Sequence, residues 1–404
     1  MREDVDLLIS GGGIAGLIAA AGFGAQGLRV LCVDPAAPVT EREAPGADLR
    51  STAFLQPSVA LLDEVGLWPR LAPHAMPLQV MRIVEAGPAA PSGDTSPGAR
   101  VARDFDAADV SEHPFGQNLP NWLLRREVLA HLATLPNVEF APGTGTARLT
   151  TREGAALVTL TCGRRIAARL LVAADGRNSP VRRALGIGAR TIRYGQKALA
   201  FAVTHPVPHD NVSTEIHRSG GPFTLVPLPD HEGRPSSAIV WMERGPEALR
   251  LADLPVAAFE RAMTDRSAGV LGPLTLASNV TIWPIISQIA DAFTAERSLL
   301  MAEAAHVVPP IGAQGLNMSL GDLRTAFDLV RDAPETLGTP AMLAAYERAR
   351  RADVTLRLSG IDILNRTSMA GAGLLNALRP RGLAALHGIV PLRRALMRLG
   401  MKTG

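Results

Sequence analysis

Apolar positions open the chain in a strand, turn, helix, strand order. Val5–Ser10 carries Leu7, Leu8 and Ile9 in a row, the length and character of a buried parallel strand. A glycine-rich turn follows at Gly11–Gly16, and Ile14–Gln26, small and apolar, predicts a buried helix. Arg29–Asp34 (RVLCVD) predicts the next strand, completing a β-α-β unit of about thirty residues. Helical spacing returns at Leu55–Leu67 and at Asn121–Leu135, where Leu124, Val128, Leu129 and Leu132 share a side. Between them, Gly87–Gly98 is rich in Pro, Gly, Ser and Ala and reads as a loop. Thr146–Ala174 alternates or runs apolar with glycine breaks, which predicts strands. Residues 190–285 read as strand-rich, clearest at Phe223–Leu228 and Ser237–Met242, with proline turns at 206–208, 227–229 and 234–235. Helices are expected again at Leu320–Arg331 and Thr339–Leu358.

This order divides the chain into a discontinuous nucleotide-binding part (1–75, 100–185 and 286–350), a strand-rich part (76–99 and 186–285) and a helical C-terminal segment (351–404). Leu7–Leu28 is uncharged over 22 positions, long enough to cross a membrane. Seven of those residues are glycine, three of them clustered at Gly11–Gly13, so strand-turn-helix is the better reading.

Composition changes this picture little: 47% hydrophobic and 20% charged residues describe a globular protein. Charge changes it more. The net charge of +3 conceals a split, because residues 1–362 hold 34 basic and 38 acidic side chains, and the last 42 hold seven basic and none acidic. Basic character therefore belongs to one end, which argues against a nucleic-acid partner. Pro391–Met401 places Leu392, Leu396 and Leu399 at helical spacing beside Arg393, Arg394 and Arg398, the pattern of a helix on an anionic membrane surface or a neighbouring protein. Two cysteines, Cys32 and Cys162, make no disulfide framework and read as core thiols of a reducing compartment. No His/Cys/Asp cluster has metal-ligand spacing, and the mixed-charge start is unlike a secretory signal. A cytoplasmic protein is expected, able to sit peripherally on the inner face of the cytoplasmic membrane.

The first chemical motif is Gly11-x-Gly13-x-x-Gly16. A dinucleotide pyrophosphate rests on a helix N-terminus, where free N–H groups and the helix dipole favour anions. Gly11 permits the tight turn, Gly13 the phosphate approach and Gly16 the helix-to-strand contact, with Ile14 and Ala15 between them. Gly22-x-Gly24-x-x-Gly27 matches the same spacing but follows no strand, so it is set aside. Asp34, 18 residues beyond Gly16 at a strand end, is placed to accept the ribose hydroxyls of an adenosine. The second motif, Asp175-Gly176, follows the apolar run Leu170–Ala174; read bare, it is also an ordinary turn. The third, Ala302–Asn317, sets a carboxylate after a strand, then a Pro-Pro loop and a glycine turn into a helix.

In this order and at these distances, the three segments resemble the FAD-dependent aromatic hydroxylases, the class A flavoprotein monooxygenases. Within them the chain is similar to the polyprenyl-phenol hydroxylases of ubiquinone biosynthesis. Asp48–Ala53 (DLRSTA), Pro114–Arg126, Pro309–Asn317 (PPIGAQGLN) and Arg379–Leu383 carry the likeness, which spans essentially the whole chain. The fold implied is α/β: a Rossmann-like FAD-binding domain of the aromatic hydroxylase type, an inserted strand-rich substrate domain and a helical C-terminus. The implied cofactor is FAD, with NAD(P)H as reductant and O2 and a hydrophobic phenol as substrates. Arg50 and Arg126 are implied to lie along the FAD and Asp175 to serve FAD and pyridine-nucleotide binding. Glu303 is implied to meet a ribityl hydroxyl, and Gly315, Leu316 and Asn317 to face the flavin ring. The family's usual Gly-Asp is Ala302-Glu303 here, a departure that bears on how tightly FAD is held.

The resemblance implies no catalytic side chain. His306 is expected to be packed and hydrogen-bonded. Gly221, Pro222, Phe223 and Trp241 are candidates to line the ring site, with core packing equally open for Phe223 and Trp241. Other activities considered are hydroxylation of a soluble phenol, halogenation, for which a Trp-x-Trp-x-Ile-Pro-like segment and a fitting lysine are missing, and a flavin fold kept as a scaffold in a ubiquinone-biosynthesis complex.

Overall fold

The computed structural model describes residues 2–86, 100–218 and 221–369, with Arg394 and Met397. The Gly87–Gly98 loop, the Arg379–Leu383 motif and nearly all of the basic Pro391–Met401 segment lie outside these residues.

Strand β1 (Arg2–Ser10) is central to the first sheet. It pairs in parallel with β2 (Val30–Asp34) through Ile9↔Cys32 and with β11 (Arg165–Ala173) through Leu7↔Leu170. Outside these lie β8 (Val138–Pro142), parallel to β2, and β19 (Ser298–Leu300), parallel to β11. β18 (Thr294–Ala295) is the edge strand beyond β19, and β9 (Thr146–Arg152) and β10 (Ala155–Leu160) extend β11 in antiparallel fashion. Parallel strands are covered on both faces, so Leu7, Leu8 and Ile9 need not alternate, and all three are buried.

Helix α1 (Ile14–Ala25) packs on α4 (Asn121–Leu132) and on α8 (Gln314–Asp332). Gly24 lets α1 lie close to β8, since a methyl there would overlap Val138. Short helices α2 (Gln56–Glu64), α3 (Trp68–Leu71) and α5 (Pro180–Ala184) fill the connections, and α9 (Pro340–Met369) lies on α8.

A small antiparallel sheet of β3 (Ser51–Leu55), β7 (Gly116–Pro120) and β4 (Met76–Leu78) bridges to a second large sheet. That sheet runs β20 (His306–Val307), β17 (Thr281–Ala290), β12 (Ala189–Thr204), β15 (Arg234–Arg244), β14 (Pro222–His231), β13 (Val212–His217), β5 (Val80–Ala86), β6 (Arg100–Asp106), with β16 (Thr275–Leu276) on β12. Hence β6, the end of β17 and β20, which the sequence division places with the nucleotide-binding part, belong to this second sheet.

Three further expectations are corrected. The stretch 190–285 also holds two helices, α6 (Gly245–Ala252) and α7 (Val256–Arg266), which cover one sheet face through Ala248, Leu251, Phe259 and Met263. Residues 227–229 form no turn but continue β14. The Pro227 carbonyl accepts Asn118 Nδ2 at 2.7 Å. In an antiparallel strand a residue's N and C=O point to the same side, so the missing N–H of Pro227 faces away from β15 and costs no ladder bond. Of the two cysteines, Cys32 is buried and Cys162 is exposed, so only the first is a core thiol.

Candidate active site

The strands β8, β2, β1, β11 and β19 all run the same way, so their C-terminal ends share one edge. That edge collects residues far apart in sequence: the Gly11–Gly16 turn after β1, Asp34 at the end of β2, Asp175 after β11 and Ala302-Glu303 after β19. Ligands of open parallel sheets bind at this kind of edge.

The three glycines do different things. Gly11 has φ +116°, and a methyl there would overlap the Ala174 carbonyl. A methyl at Gly16 would overlap the carbonyl of Gly11, so Gly16 lets α1 approach the turn. Gly13 is the N-cap of α1, and a methyl there would meet nothing within 4 Å. The α1 N-terminus has no side-chain cap and no acidic residue in its first turn, leaving Ile14, Ala15 and Gly16 at a positive helix end. Asp34 braces the turn: its Oδ2 accepts Gly12 N–H at 2.7 Å and its Oδ1 accepts Ala36 N–H at 2.8 Å. A carboxylate has about four acceptor sites, so Asp34 retains capacity for a ribose hydroxyl.

Asp175 adjoins the turn, since its backbone N is among the atoms a Gly11 methyl would strike. Its Oδ2 accepts Val181 N–H at 3.1 Å, and its buried Oδ1 has no partner among the described residues. Burial pushes its pKa above the ordinary aspartate value.

Arg50 precedes β3. It grips Asp48 with two bonds, Nε to Oδ1 at 2.8 Å and Nη2 to Oδ2 at 2.7 Å, and its guanidinium lies 4.5 Å from the Trp283 ring centre. Burial disfavours the Asp48 charge, yet the bonds and charge of Arg50 hold its pKa below the ordinary value. Burial likewise opposes the Arg50 charge, but Asp48, with a smaller contribution from Glu303, holds its pKa up. Glu303 itself is exposed. Arg126 is not in this group: it bonds to Glu127 at 2.9 Å and lies over Trp122. Its neighbour Arg125 reaches Asp48 instead, at 3.3 Å, alongside Asn121 Nδ2 at 3.1 Å.

The turn into α8 is tied to β3 by Asn317. Its Oδ1 accepts Leu55 N–H at 2.9 Å, and its Nδ2 donates to Ala53 O at 2.7 Å and Ala313 O at 2.6 Å. Asn317 is thus fully used in holding the turn, whereas Gly315 is exposed with open space at its Cα and Leu316 is half-buried. α8, like α1, has no side-chain cap and no acid in its first turn.

Behind Glu303 lies a buried ionic network that sequence reasoning missed. Asp322 Oδ2 accepts His306 Nε2 at 2.7 Å and Ala302 N–H at 2.9 Å, and its Oδ1 accepts Arg350 Nε at 2.8 Å. Burial opposes the Asp322 charge, but the charges of His306 and Arg350 hold its pKa below the ordinary value. His306 is therefore packed and bonded, as expected.

Ala302, bonded to this network, has φ +55°, a left-handed conformation costly for alanine. Ala302→Gly should stabilise the protein by about 1 kcal/mol, and a urea titration with an unshifted midpoint would contradict that strain.

Phe223 and Trp241 meet edge-to-face at 5.4 Å in the core beneath α6 and α7. Neighbouring strand residues face oppositely. Ala198, Met242 and Ile285 form a separate cluster with Tyr194, Val240 and Ile311 of the Pro-Pro loop. Among the described residues, no three His, Cys, Asp or Glu side chains are grouped to hold a metal, and no helix is long and apolar enough to cross a membrane.

The FAD binding domain family matches residues 4–358. The chain is 32% identical to a ubiquinone hydroxylase, UbiL, of Rhodospirillum rubrum, over 98% of this chain and 90% of the relative. It is 25% identical to the 3-demethoxyubiquinol 3-hydroxylase of Escherichia coli, over 98% and 96%. The p-nitrophenol 4-monooxygenase PnpA of Pseudomonas putida superposes with a TM-score of 0.80 at 20% identity, covering 100% of this chain and 99% of that one.

Proposed function

We propose, because this chain belongs to the FAD binding domain family, that it hydroxylates the aromatic ring of a polyprenylated phenol in ubiquinone biosynthesis, using NAD(P)H and O2. The observation that carries the reading is the gathering of the Gly11–Gly16 turn, Asp34, Asp175 and Glu303 at one edge of the parallel sheet.

The residues fit FAD. Open space at Gly13 and at Gly315 suits a phosphate and a flat ring, and the buried Asp175 Oδ1 wants a donor. The N-terminus of α1 would hold the pyrophosphate, Asp34 the adenosine ribose and Glu303 a ribityl hydroxyl. Arg50 would lie along the cofactor, its guanidinium pre-oriented by Asp48 and Trp283, and Arg125 is better placed than Arg126 to support it. The turn that Asn317 fixes would present the backbone N–H groups of Gly315 and Leu316 to the ring. When bound, FAD supplies the redox chemistry that activates O2. The protein orients the phenol and keeps water away, a task suited to the apolar face of Ala198, Val240, Met242, Ile285 and Ile311. The basic C-terminal segment would bring the enzyme to an anionic membrane, where a polyprenyl phenol resides.

Purified protein should show a flavin spectrum and oxidise NADH or NADPH faster when a short-chain prenyl phenol is added. Truncation after Leu386 should reduce sedimentation with anionic liposomes. A colourless protein that takes up no FAD would sink the reading; tight FAD without phenol-stimulated oxidation would remove the substrate alone. Unchanged sedimentation would remove the membrane partner.

A further inference from the structure

The C-terminal half of α9 presents an apolar stripe to the outside. Ala352, Leu356, Ser359, Gly360 and Ile363 follow helical spacing on one face, with Leu364 at its border. Leu356 is 75% exposed, Ile363 64% and Leu364 58%; the first two are the most exposed large apolar side chains among the described residues. Packing of the fold does not account for this stripe. The opposite face of α9 serves the core, where Val354 and Ile361 are buried and Leu358 packs against them.

Charge on α9 is sorted as well. Its three acids are partly buried and engaged within the protein. Glu347 accepts Phe293 N–H at 2.6 Å, and Asp353 pairs with Arg350 at 3.0 Å and Arg357 at 2.8 Å. Asp362 accepts the Tyr194 hydroxyl at 2.6 Å and pairs with Arg366 at 2.9 Å. Among the described side chains of α9, the exposed charges are Arg348 and Arg366 alone. A helix face turned to water is ordinarily rich in charged and polar residues. This one sets leucine, isoleucine, alanine and glycine between two arginines. From Arg366 to the end, the chain adds seven basic side chains and no acidic one.

Such a face fits an anionic lipid surface, where apolar side chains enter the headgroup boundary and arginines meet lipid phosphates. A second copy of the chain fits it less well, because the same face would bring no exposed carboxylate to Arg348 and Arg366. No described helix is long and apolar enough to cross a membrane, so α9 would lie on the surface. The position suits the reaction. Tyr194, bonded to Asp362 and 5.9 Å from the Arg366 guanidinium, also packs with Ala198, Met242 and Ile285, the apolar face assigned to the phenol.

We infer that the exposed stripe of α9, through Leu356, Ile363 and Leu364 with Arg348 and Arg366, docks on an anionic lipid bilayer. The inference rests on the membrane reading made for the basic C-terminal segment. It extends that reading to an element that a truncation after Leu386 leaves in place.

The test is sedimentation of the full-length, FAD-loaded protein with vesicles of phosphatidylcholine and phosphatidylglycerol, and with vesicles of phosphatidylcholine alone. Leu356→Ser combined with Leu364→Ser should lower partitioning onto the anionic vesicles roughly tenfold, the loss of two partly inserted leucines. Arg348→Ala should lower it about fivefold, the loss of one cation near the surface, and added salt should shrink that difference. Each variant changes exposed side chains, so the flavin spectrum and the urea midpoint should stay as in wild type. A nitrobenzoxadiazole dye on Leu356→Cys, in a Cys162→Ser background, should brighten and shift to the blue on anionic vesicles as it leaves water. An unchanged partition of the serine pair, or an unchanged dye, would overturn the inference; a truncation that still weakened sedimentation would then leave the basic segment as the lipid contact. A serine pair that altered the oligomeric state in sedimentation velocity, with vesicle binding intact, would give the stripe to a second copy. Wild-type protein that binds neither vesicle would overturn the membrane reading for both elements, whereas the flavin spectrum tests the hydroxylase reading separately.

Discussion

Asp322→Ala is expected to destabilise the protein by about 3–5 kcal/mol, the cost of breaking a buried ion pair from one side. The alanine leaves Arg350 and His306 buried without their carboxylate, and it frees the Ala302 N–H. Both flanking groups are almost fully enclosed, so water cannot replace the lost partner. Chemical denaturation followed by circular dichroism reads the loss directly. Asp322→Asn keeps the size and one acceptor, so it should fall between wild type and the alanine variant.

The pH dependence has a definite sign. The Asp322 pKa is lowered by folding, so its contribution is present above the ordinary aspartate pKa and fades as pH falls through the depressed folded value. The gap between wild type and Asp322→Asn should therefore narrow in acid. An equal gap at every pH would mean that the carboxylate charge is irrelevant. Because Asp322 holds the turn that carries Glu303, both variants should also retain less FAD, which gel filtration followed by the flavin absorbance ratio would report.

That network marks the boundary of what pattern reading reaches. The Gly11–Gly16 turn is legible because three signals agree: an apolar run before it, small apolar residues after it, and a carboxylate at the following strand end. The same holds for Pro309–Asn317. Asp322 carries no such signal. On a helix with Arg324, Asp328, Arg331 and Asp332, it reads as one more solvated charge. Its partner Arg350 sits among Arg348 and Arg351, and only the packing of α9 on α8 turns Arg350 inward. The Arg125–Arg126 pair fails for a related reason. Adjacent residues on a helix point about 100° apart, so choosing the one that meets Asp48 requires the register of α4 against β3. The helices α6 and α7 were missed inside a stretch dominated by strand signals, although Glu247 and Arg250 pair on one helix face. In each case the missing information is tertiary: which side of an element is inside.

The Gly-rich turn gives the sharpest test of the cofactor reading, because its glycines are required for different reasons. Gly16→Ala forces a methyl onto the Gly11 carbonyl, so α1 must move away from the turn. Overpacking of this kind costs about 1–3 kcal/mol, and the apoprotein itself should unfold earlier. Gly13→Val acts otherwise. Its backbone, at φ −68° and ψ 172°, is extended and open to any residue, and its side chain would project into empty space. The apoprotein should lose no more than about 1 kcal/mol, the cost of an apolar residue at an N-cap. FAD affinity should nevertheless fall at least tenfold, about 1.4 kcal/mol, because the valine occupies the approach to the α1 N-terminus. The two measurements are made on the same samples: urea unfolding of the FAD-free protein, and FAD titration by quenching of flavin fluorescence. Gly13→Val with unaltered FAD affinity would place the pyrophosphate elsewhere, whatever the unfolding data show. Equal loss of apoprotein stability in both variants would mean that Gly13 serves the fold and not the ligand.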